Sequence, residues 1–160
     1  MRRLMKFLHT IGAIGLMGAM ACLIVLLGFV PTPASSLSQY ALMTAAMSGI
    51  ATWIFFPALG LTLIAGLLAI AVNRAFHSAG WVWAKLATGI LIFEWGFTAI
   101  LGPLQEEAEL SARALAGGAD AATLAVSLDA QRTSLWVLLI VAAANVVLGV
   151  WRPRFTKLPD

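Results

Sequence analysis

Charged residues are scarce in this chain. Asp, Glu, Lys and Arg together make up 11% of the 160 residues, whereas 61% are hydrophobic and the mean hydropathy is +0.95. Because soluble domains carry about 25% charged residues, this composition excludes a water-soluble globular domain. Cysteine is scarcer still: Cys22 is the only one, so an intrachain disulfide is excluded and the redox compartment is left open.

The sequence also lacks the motifs of common enzyme chemistry. It contains no nucleotide-binding glycine loop, no nucleophile–base arrangement and no zinc-ligand spacing, and nothing in it indicates a nucleic-acid partner. Thioether groups suit Cu(I), and the chain has six methionines. Methionine is, however, an ordinary filler of apolar packing. These absences favour a binding or accessory protein over an enzyme.

Long apolar runs are what the chain has in abundance. A membrane-spanning helix needs about 20 apolar residues, and the chain contains four runs of about this length. The first run follows the basic start MRRLMK, as a signal peptide would, but it exceeds the roughly 7–15 residues of a signal core, so we retain it as a helix. We predict an all-α fold, a four-helix transmembrane bundle in one integral membrane domain (residues 1–160), with spans at about 7–30, 49–72, 81–102 and 134–151.

Turn residues place the helix ends. We expect the second helix to run from about Ser38 to Val72, with a kink at Pro57 because proline removes a helical hydrogen bond. Pro103 is expected to close the third helix. The polar segment that follows is expected to form an acidic helical loop, broken at Gly117, before a last helix that runs unbroken from Ala121.

The basic residues predict the orientation. Eight of the ten Lys and Arg residues fall on one side of the predicted bundle, whereas the acidic loop holds only Arg113 and Arg132. The positive-inside rule makes the basic side cytoplasmic. Both termini are therefore predicted to be cytoplasmic and the acidic loop external. The basic side holds Arg2, Arg3, Lys6, Arg74, Lys85, Arg152, Arg154 and Lys157.

Glu94 is the acidic side chain inside a predicted span. Ionisable residues in membrane helices are costly, and they are functional candidates by default. The helical period places six residues on the side of Glu94, namely Trp83, Ala87, Ile90, Leu91, Phe97 and Thr98. If this side faces the bundle, Glu94 is either a proton or cation relay or a carboxyl group that joins two helices by a hydrogen bond.

Asn145 and Lys85 are the other polar groups within spans. Asn145 lies near the middle of the fourth helix and is the expected hydrogen-bond partner of Glu94. Lys85 points to the opposite side of its helix from Glu94, nine residues away, so the two cannot form an ion pair. We expect Lys85 to extend to the cytoplasmic interface, as long basic side chains near helix ends do.

His9 and His77 are the candidate metal or haem ligands. Imidazole is a common ligand of both, and His9 lies two residues into the first predicted span. His77 lies in the second connection at a comparable level, so a site with two histidines is conceivable. The alternative for both is an interfacial histidine that binds water or backbone.

Two segments resemble known membrane proteins. KFLHTIGAIGLMG and GWVWAKLATGILIFE resemble the first and third helices of a domain-of-unknown-function family of small bacterial four-helix integral membrane proteins. More distantly, they are similar to the copper-resistance D proteins and to the membrane-bound, haem-associated protoporphyrinogen oxidases. The resemblance implies residence in the bacterial inner membrane, haem b as a cofactor, and roles for His9 and Lys85 as the matching histidine and lysine.

Three functions stay open at this point. The first is a non-enzymatic binding or accessory component of the inner membrane, in contact with the lipid bilayer and with a second copy or another membrane protein. The second is a haem- or metal-binding redox protein, with His9 as ligand and Lys85 near a propionate or substrate. The third is a proton-coupled transport component that uses Glu94 and requires an oligomer, because one four-helix chain is small for a carrier.

Overall fold

The computed structural model describes residues 2–73, 76–124 and 128–151, and within them every regular element is helical. Four of these helices are long and apolar enough to cross a membrane, which is the architecture of a multi-pass membrane protein. The predicted all-α, four-helix architecture is thereby confirmed. The α-helical elements are α1 (Arg2–Leu27), α2 (Leu37–Ile50), α3 (Phe56–Val72), α4 (Gly80–Gly96), α5 (Gly102–Leu115) and α6 (Asp129–Trp151).

Short π-helical segments join the elements of the two longest helices. Ala51–Phe55 connects α2 to α3, and Phe97–Leu101 connects α4 to α5, so that each pair forms one continuous helix of 36 residues. In each segment a main-chain N–H reaches five residues back, from Phe56 to Ala51 and from Gly102 to Phe97. Such π-bulges interrupt the regular α-helical pattern of hydrogen bonds.

Both π segments precede a proline. Pro57 and Pro103 are the second residues of α3 and α5, inside the two continuous helices, where a local π adjustment accommodates the backbone groups that a proline leaves without an N–H partner. The prediction that Pro103 closes the third helix is therefore wrong, since the helix continues to Leu115. The polar half of that helix, α5, is an extension of the predicted third span.

The connection between α5 and α6 differs from the prediction at one point. Gly117 has a positive φ of 75° and follows the end of α5, as expected. Asp120 accepts a hydrogen bond from the Ala122 main-chain N–H at 2.9 Å, but it caps only a single 3-10 turn, Ala121–Thr123. Because Leu124 is extended and α6 begins at Asp129, the prediction of an unbroken last helix from Ala121 is wrong.

Glycines bring α1 against α3. A Cβ atom at Gly12 would lie 2.9 Å from the main-chain nitrogen of Thr62 and 3.0 Å from the main-chain oxygen of Ala58. At Gly15 it would lie 3.2 Å from the Ala58 Cβ. Small residues permit such close backbone approach between membrane helices. The central core lies beside this contact, and its fully buried members include Met20, Leu23, Met47, Phe55, Ile100, Leu104 and Leu135.

A buried polar layer joins α2 to α5. The Tyr40 hydroxyl donates a 2.6 Å hydrogen bond to Glu107 Oε1, and the hydroxyls of Thr44 and Ser111 are 2.8 Å apart. Thr44 and Ser111 are fully buried. The hydrogen bonds fix the parts of the two long helices that extend beyond the apolar core.

Four of the basic residues used for the orientation, Arg74, Arg152, Arg154 and Lys157, lie outside the described residues.

Candidate functional site

A cavity of about 400 Å³ lies between α1, α3, α4 and α6, near the end of α3 and the start of α4. This volume falls within the range of about 300–1,000 Å³ that is typical of small-molecule sites. Most of the wall is apolar, whereas its polar groups are few. They are Lys6, His9, Thr62, Asn73, Lys85 and Asn145, together with the Trp81 indole.

The His9 imidazole is held by the backbone of α3. Its Nδ1 atom lies 2.8 Å from the main-chain oxygen of Thr62, and because a carbonyl only accepts, Nδ1 carries the proton and donates. In the neutral imidazole this leaves Nε2 unprotonated, able to accept a hydrogen bond or to bind a metal. Gly66 provides the space beside the ring, since a Cβ atom there would lie 3.4 Å from Nδ1.

Lys85 lines the same cavity from α4. Its Nζ atom lies over the backbone of α6, where a Cβ atom at Gly149 would be only 2.8 Å away. The absence of a side chain at Gly149 therefore makes room for the ammonium group. Lys85 is only partly exposed and forms part of the cavity wall, and its extension to the cytoplasmic interface stays a prediction.

The electrostatic character of the cavity is positive. Its wall includes the cations Lys6 and Lys85 but no Asp or Glu among the described residues. The first acidic residue in the sequence is Glu94, so neither α1 nor α3 can supply a carboxylate. In an apolar surrounding, opposite charges attract more strongly than in water. The cavity therefore favours a ligand that carries a negative charge.

Asn145 lies in the cavity wall and contacts α4. Its Oδ1 atom accepts a 2.8 Å hydrogen bond from the Thr88 hydroxyl. Such interhelical hydrogen bonds stabilise membrane bundles. The expectation that Asn145 binds Glu94 is therefore wrong, since Thr88 takes that place. Thr88 was missed in the sequence, although its position three residues after Lys85 places both on one side of α4.

Glu94 lies outside the site. Its side chain is exposed on the outer surface of the bundle, and its carboxyl group contacts no partner in the described part of the chain. The condition that this side of the helix faces the bundle is not met, because the opposite side of α4, with Val82, Lys85 and Gly89, faces the cavity. A charged side chain at the bilayer centre costs about 2.5–3.5 kcal/mol on insertion scales, so this exposed position needs an explanation.

His77 is also outside the cavity. It is exposed in the connection between α3 and α4, where its Nε2 atom donates a 3.1 Å hydrogen bond to the main-chain oxygen of Ile70. The Trp83 indole N–H in turn donates to the main-chain oxygen of His77 at 3.0 Å. The two histidines are therefore not brought together. Across residues 2–73, 76–124 and 128–151, no group of three His, Cys, Asp or Glu side chains is arranged to hold a metal ion.

Sequence reasoning identified three of the side chains in the cavity wall. His9, Lys85 and Asn145 lie on three different helices, and the fold places all three in one wall. Sequence reasoning missed Gly66 and Gly149, which make room for His9 and Lys85. Gly149 is four residues from Asn145, so the helical period was the available signal.

Comparison of this chain with protein-family models, with curated proteins and with solved structures finds no match. The family suggested by the two segments around His9 and Lys85 therefore stays a prediction. The function has to be argued from the cavity and its polar groups.

Proposed function

We propose that this protein is a membrane-embedded binding protein, and not an enzyme, whose cavity takes an apolar ligand with an anionic group. The observation that carries the proposal is the presence of Lys85 and His9 in one largely apolar cavity of about 400 Å³ that lacks acidic residues in its described wall. Small-molecule sites typically combine an apolar wall with a few polar groups that orient the ligand.

The polar groups divide the binding between them. Lys85 pairs with the anionic group of the ligand, a carboxylate or a phosphate, by a charge-assisted hydrogen bond. His9 offers Nε2 as an acceptor for a ligand hydroxyl, because Nδ1 is engaged by Thr62. The remaining wall, which includes Leu59, Leu63 and Leu86, contacts the apolar body of the ligand.

The orientation is inferred from the charge distribution. We propose that both termini are cytoplasmic, because eight of the ten Lys and Arg residues fall on the side of the chain ends, and the bacterial inner membrane is what the resemblance of the segments around His9 and Lys85 implies. The cavity contains Lys6 and Lys85 from that side. Its ligand therefore enters from the cytoplasmic half of the bilayer.

A long-chain fluorescent fatty acid and its uncharged methyl ester test the proposal. We expect the acid to bind the purified protein about tenfold more tightly than the ester, since a hydrogen bond to a charged group contributes about 1.5–3 kcal/mol. Lys85→Met removes the charge and keeps a chain of similar length, so it should make the two affinities equal. Arg113→Met, which removes an exposed cation on α5 outside the cavity, is the matched control. Equal binding of acid and ester by the unmodified protein would contradict the proposal.

Haem b is a second candidate ligand, and the chemistry of His9 favours it. A haem-ligating histidine commonly donates its other ring N–H to a backbone carbonyl or a carboxylate, which fixes the tautomer, and His9 donates Nδ1–H to Thr62. His9 would hold the iron, and Lys85 would hold a propionate. Bound haem supplies one-electron chemistry. The described cavity wall contains one histidine, so it offers one imidazole ligand.

Absorption spectra distinguish this second candidate. The protein purified in mild detergent would show a Soret band and a reduced-minus-oxidised difference at near-stoichiometric haem. His9→Ala should abolish both signals, whereas His77→Ala should leave them unchanged, because His77 lies outside the cavity. A colourless protein that gains no Soret band on titration with haem would exclude haem and leave the anionic-ligand proposal to the fatty-acid experiment.

A further inference from the structure

The outward side of the helix that contains Glu94 carries a stripe of exposed side chains. From Trp83 to Phe97 the spacing alternates between four and three residues, which keeps these residues on one face of the helix. Large apolar side chains lie at both ends of the stripe's apolar part, where Trp83 is 51% and Phe97 50% exposed, and the small Ala87 and the larger Ile90 lie in between. We call this surface the Glu94 stripe; it consists of Trp83, Ala87, Ile90, Glu94, Phe97 and Thr98, all exposed.

Glu94 is the one acidic residue within the four predicted spans. It lies in the stripe between Ile90 and Phe97, both of which are about half exposed. Intramembrane carboxyl groups pair with one another or with other polar groups, or else face water-filled cavities. Within one described copy of this chain the carboxyl group contacts no partner, and Glu94 does not line the cavity described above. A second molecule is therefore the remaining source of a polar partner.

We propose that a second copy of this chain covers the Glu94 stripe, in a parallel two-fold dimer whose Glu94 carboxyl groups hydrogen-bond to each other. All copies are inserted in the same orientation, so a two-fold axis runs along the membrane normal. Such an axis places every residue opposite its own counterpart at the same depth. A protonated carboxyl group donates a hydrogen bond and a carboxylate accepts one, so the Glu94 side chains of two copies can pair with each other.

The rest of the stripe suits this arrangement. Ala87 is small, and small residues allow membrane helices to approach closely. Trp83 and Phe97 flank the contact and exclude lipid from the carboxyl pair. The dimer does not occlude the cavity, because the cavity is lined by the other side of α4, which includes Val82 and Lys85. Dimerisation and ligand binding are thus separate properties with separate tests.

Disulfide cross-linking in vesicles of phosphatidylethanolamine and phosphatidylglycerol tests the contact. The background is the full chain with Cys22→Ser, which leaves no other cysteine. A disulfide requires Cα atoms about 4.4–6.8 Å apart, so mild oxidation of Ala87→Cys should give cross-linked dimers. Ile64→Cys is the matched control, since Ile64 is exposed on α3 and lies outside the stripe. Both variants keep Glu94, and neither alters the core.

Variants of Glu94 test the carboxyl pair itself. By energy transfer between labelled copies in the same vesicles, Glu94→Gln should still dimerise, because an amide both donates and accepts. Glu94→Leu should weaken the dimer about tenfold, equivalent to about 1.4 kcal/mol. A dimer as strong in Glu94→Leu as in the unmodified chain would overturn the carboxyl pair.

Three further outcomes would overturn the dimer. The first is a monomer at every protein-to-lipid ratio. The second is cross-linking of Ile64→Cys when Ala87→Cys gives no cross-linked dimer. The third is a different protein cross-linked to the Glu94 stripe in native membranes. Cross-linking confined to Ala87→Cys would support it.

Discussion

The Nδ1 atom of His9 donates a 2.8 Å hydrogen bond to the main-chain oxygen of Thr62, across the contact between the first helix and α3. Gly12 lies one turn beyond His9 and meets the backbone at Thr62 so closely that no side chain fits. The close packing of α1 on α3 therefore also fixes the orientation of the imidazole in the cavity.

Gly12→Ala should destabilise the protein. Its Cβ atom would lie 2.9–3.0 Å from backbone atoms of α3, which cannot move independently, and overpacking of this kind costs about 1–3 kcal/mol. Unfolding in detergent, followed by circular dichroism, measures the effect. Gly18→Ala is the matched control, because nothing lies within 4 Å of that position, and it should leave the stability unchanged or raise it. Equal stability of the two variants would contradict the close contact.

Gly149→Ala should affect ligand binding more than stability. The atom in its way is Lys85 Nζ, at 2.8 Å, which is the end of a flexible side chain. We expect the free energy of unfolding to change by no more than about 0.5 kcal/mol. The Lys85 ammonium group should be displaced, and the preference for the fatty acid over its ester should become weaker. Val150→Ala serves as a control, since Val150 is 68% exposed on the same helix. An unchanged acid preference in Gly149→Ala would mean that the position of Lys85 is unimportant for binding.

Thr88→Val should weaken the contact between α4 and α6. The substitution removes the 2.8 Å hydrogen bond to Asn145 at similar volume, and interhelical hydrogen bonds of this kind contribute about 0.6–2 kcal/mol. Combining Thr88→Val with Asn145→Leu gives a double-mutant cycle, in which the second substitution should cost less than it does alone. Strictly additive costs would show that the hydrogen bond contributes nothing to stability.

Tyr40→Phe should destabilise the buried polar layer between α2 and α5. It removes the 2.6 Å hydrogen bond to Glu107 while it preserves the aromatic ring, so we expect a loss of about 1–2 kcal/mol. Hydrogen exchange of the amides in α5 reports the change locally, and protection in α1 serves as the internal control. Ligand affinity should be unaffected, because neither Tyr40 nor Glu107 lines the cavity.

The prediction of the third helix shows where sequence reasoning succeeded and where it failed. The apolar run from Trp81 identified a span, because hydrophobicity is a property of the local sequence. Pro103 was taken as the end of that helix, yet the helix continues through it to Leu115. The helix continues because of the π segment at Phe97–Leu101, where a main-chain N–H bonds to the oxygen five residues back instead of four. No local residue pattern predicted this segment.

The sequence by itself determined that the chain is helical and apolar enough to cross a membrane four times, since composition and run length decide both. It also determined which residues share a side of a helix, so that Lys85 and Glu94 had to point in opposite directions. Only the tertiary structure decided which of the two sides turns inward. The apolar side chains surround the third helix on every side, so the pattern does not show which face packs. The contacts of α4 with α3 and α6 place Lys85 in a cavity with His9 and leave Glu94 on the outer surface.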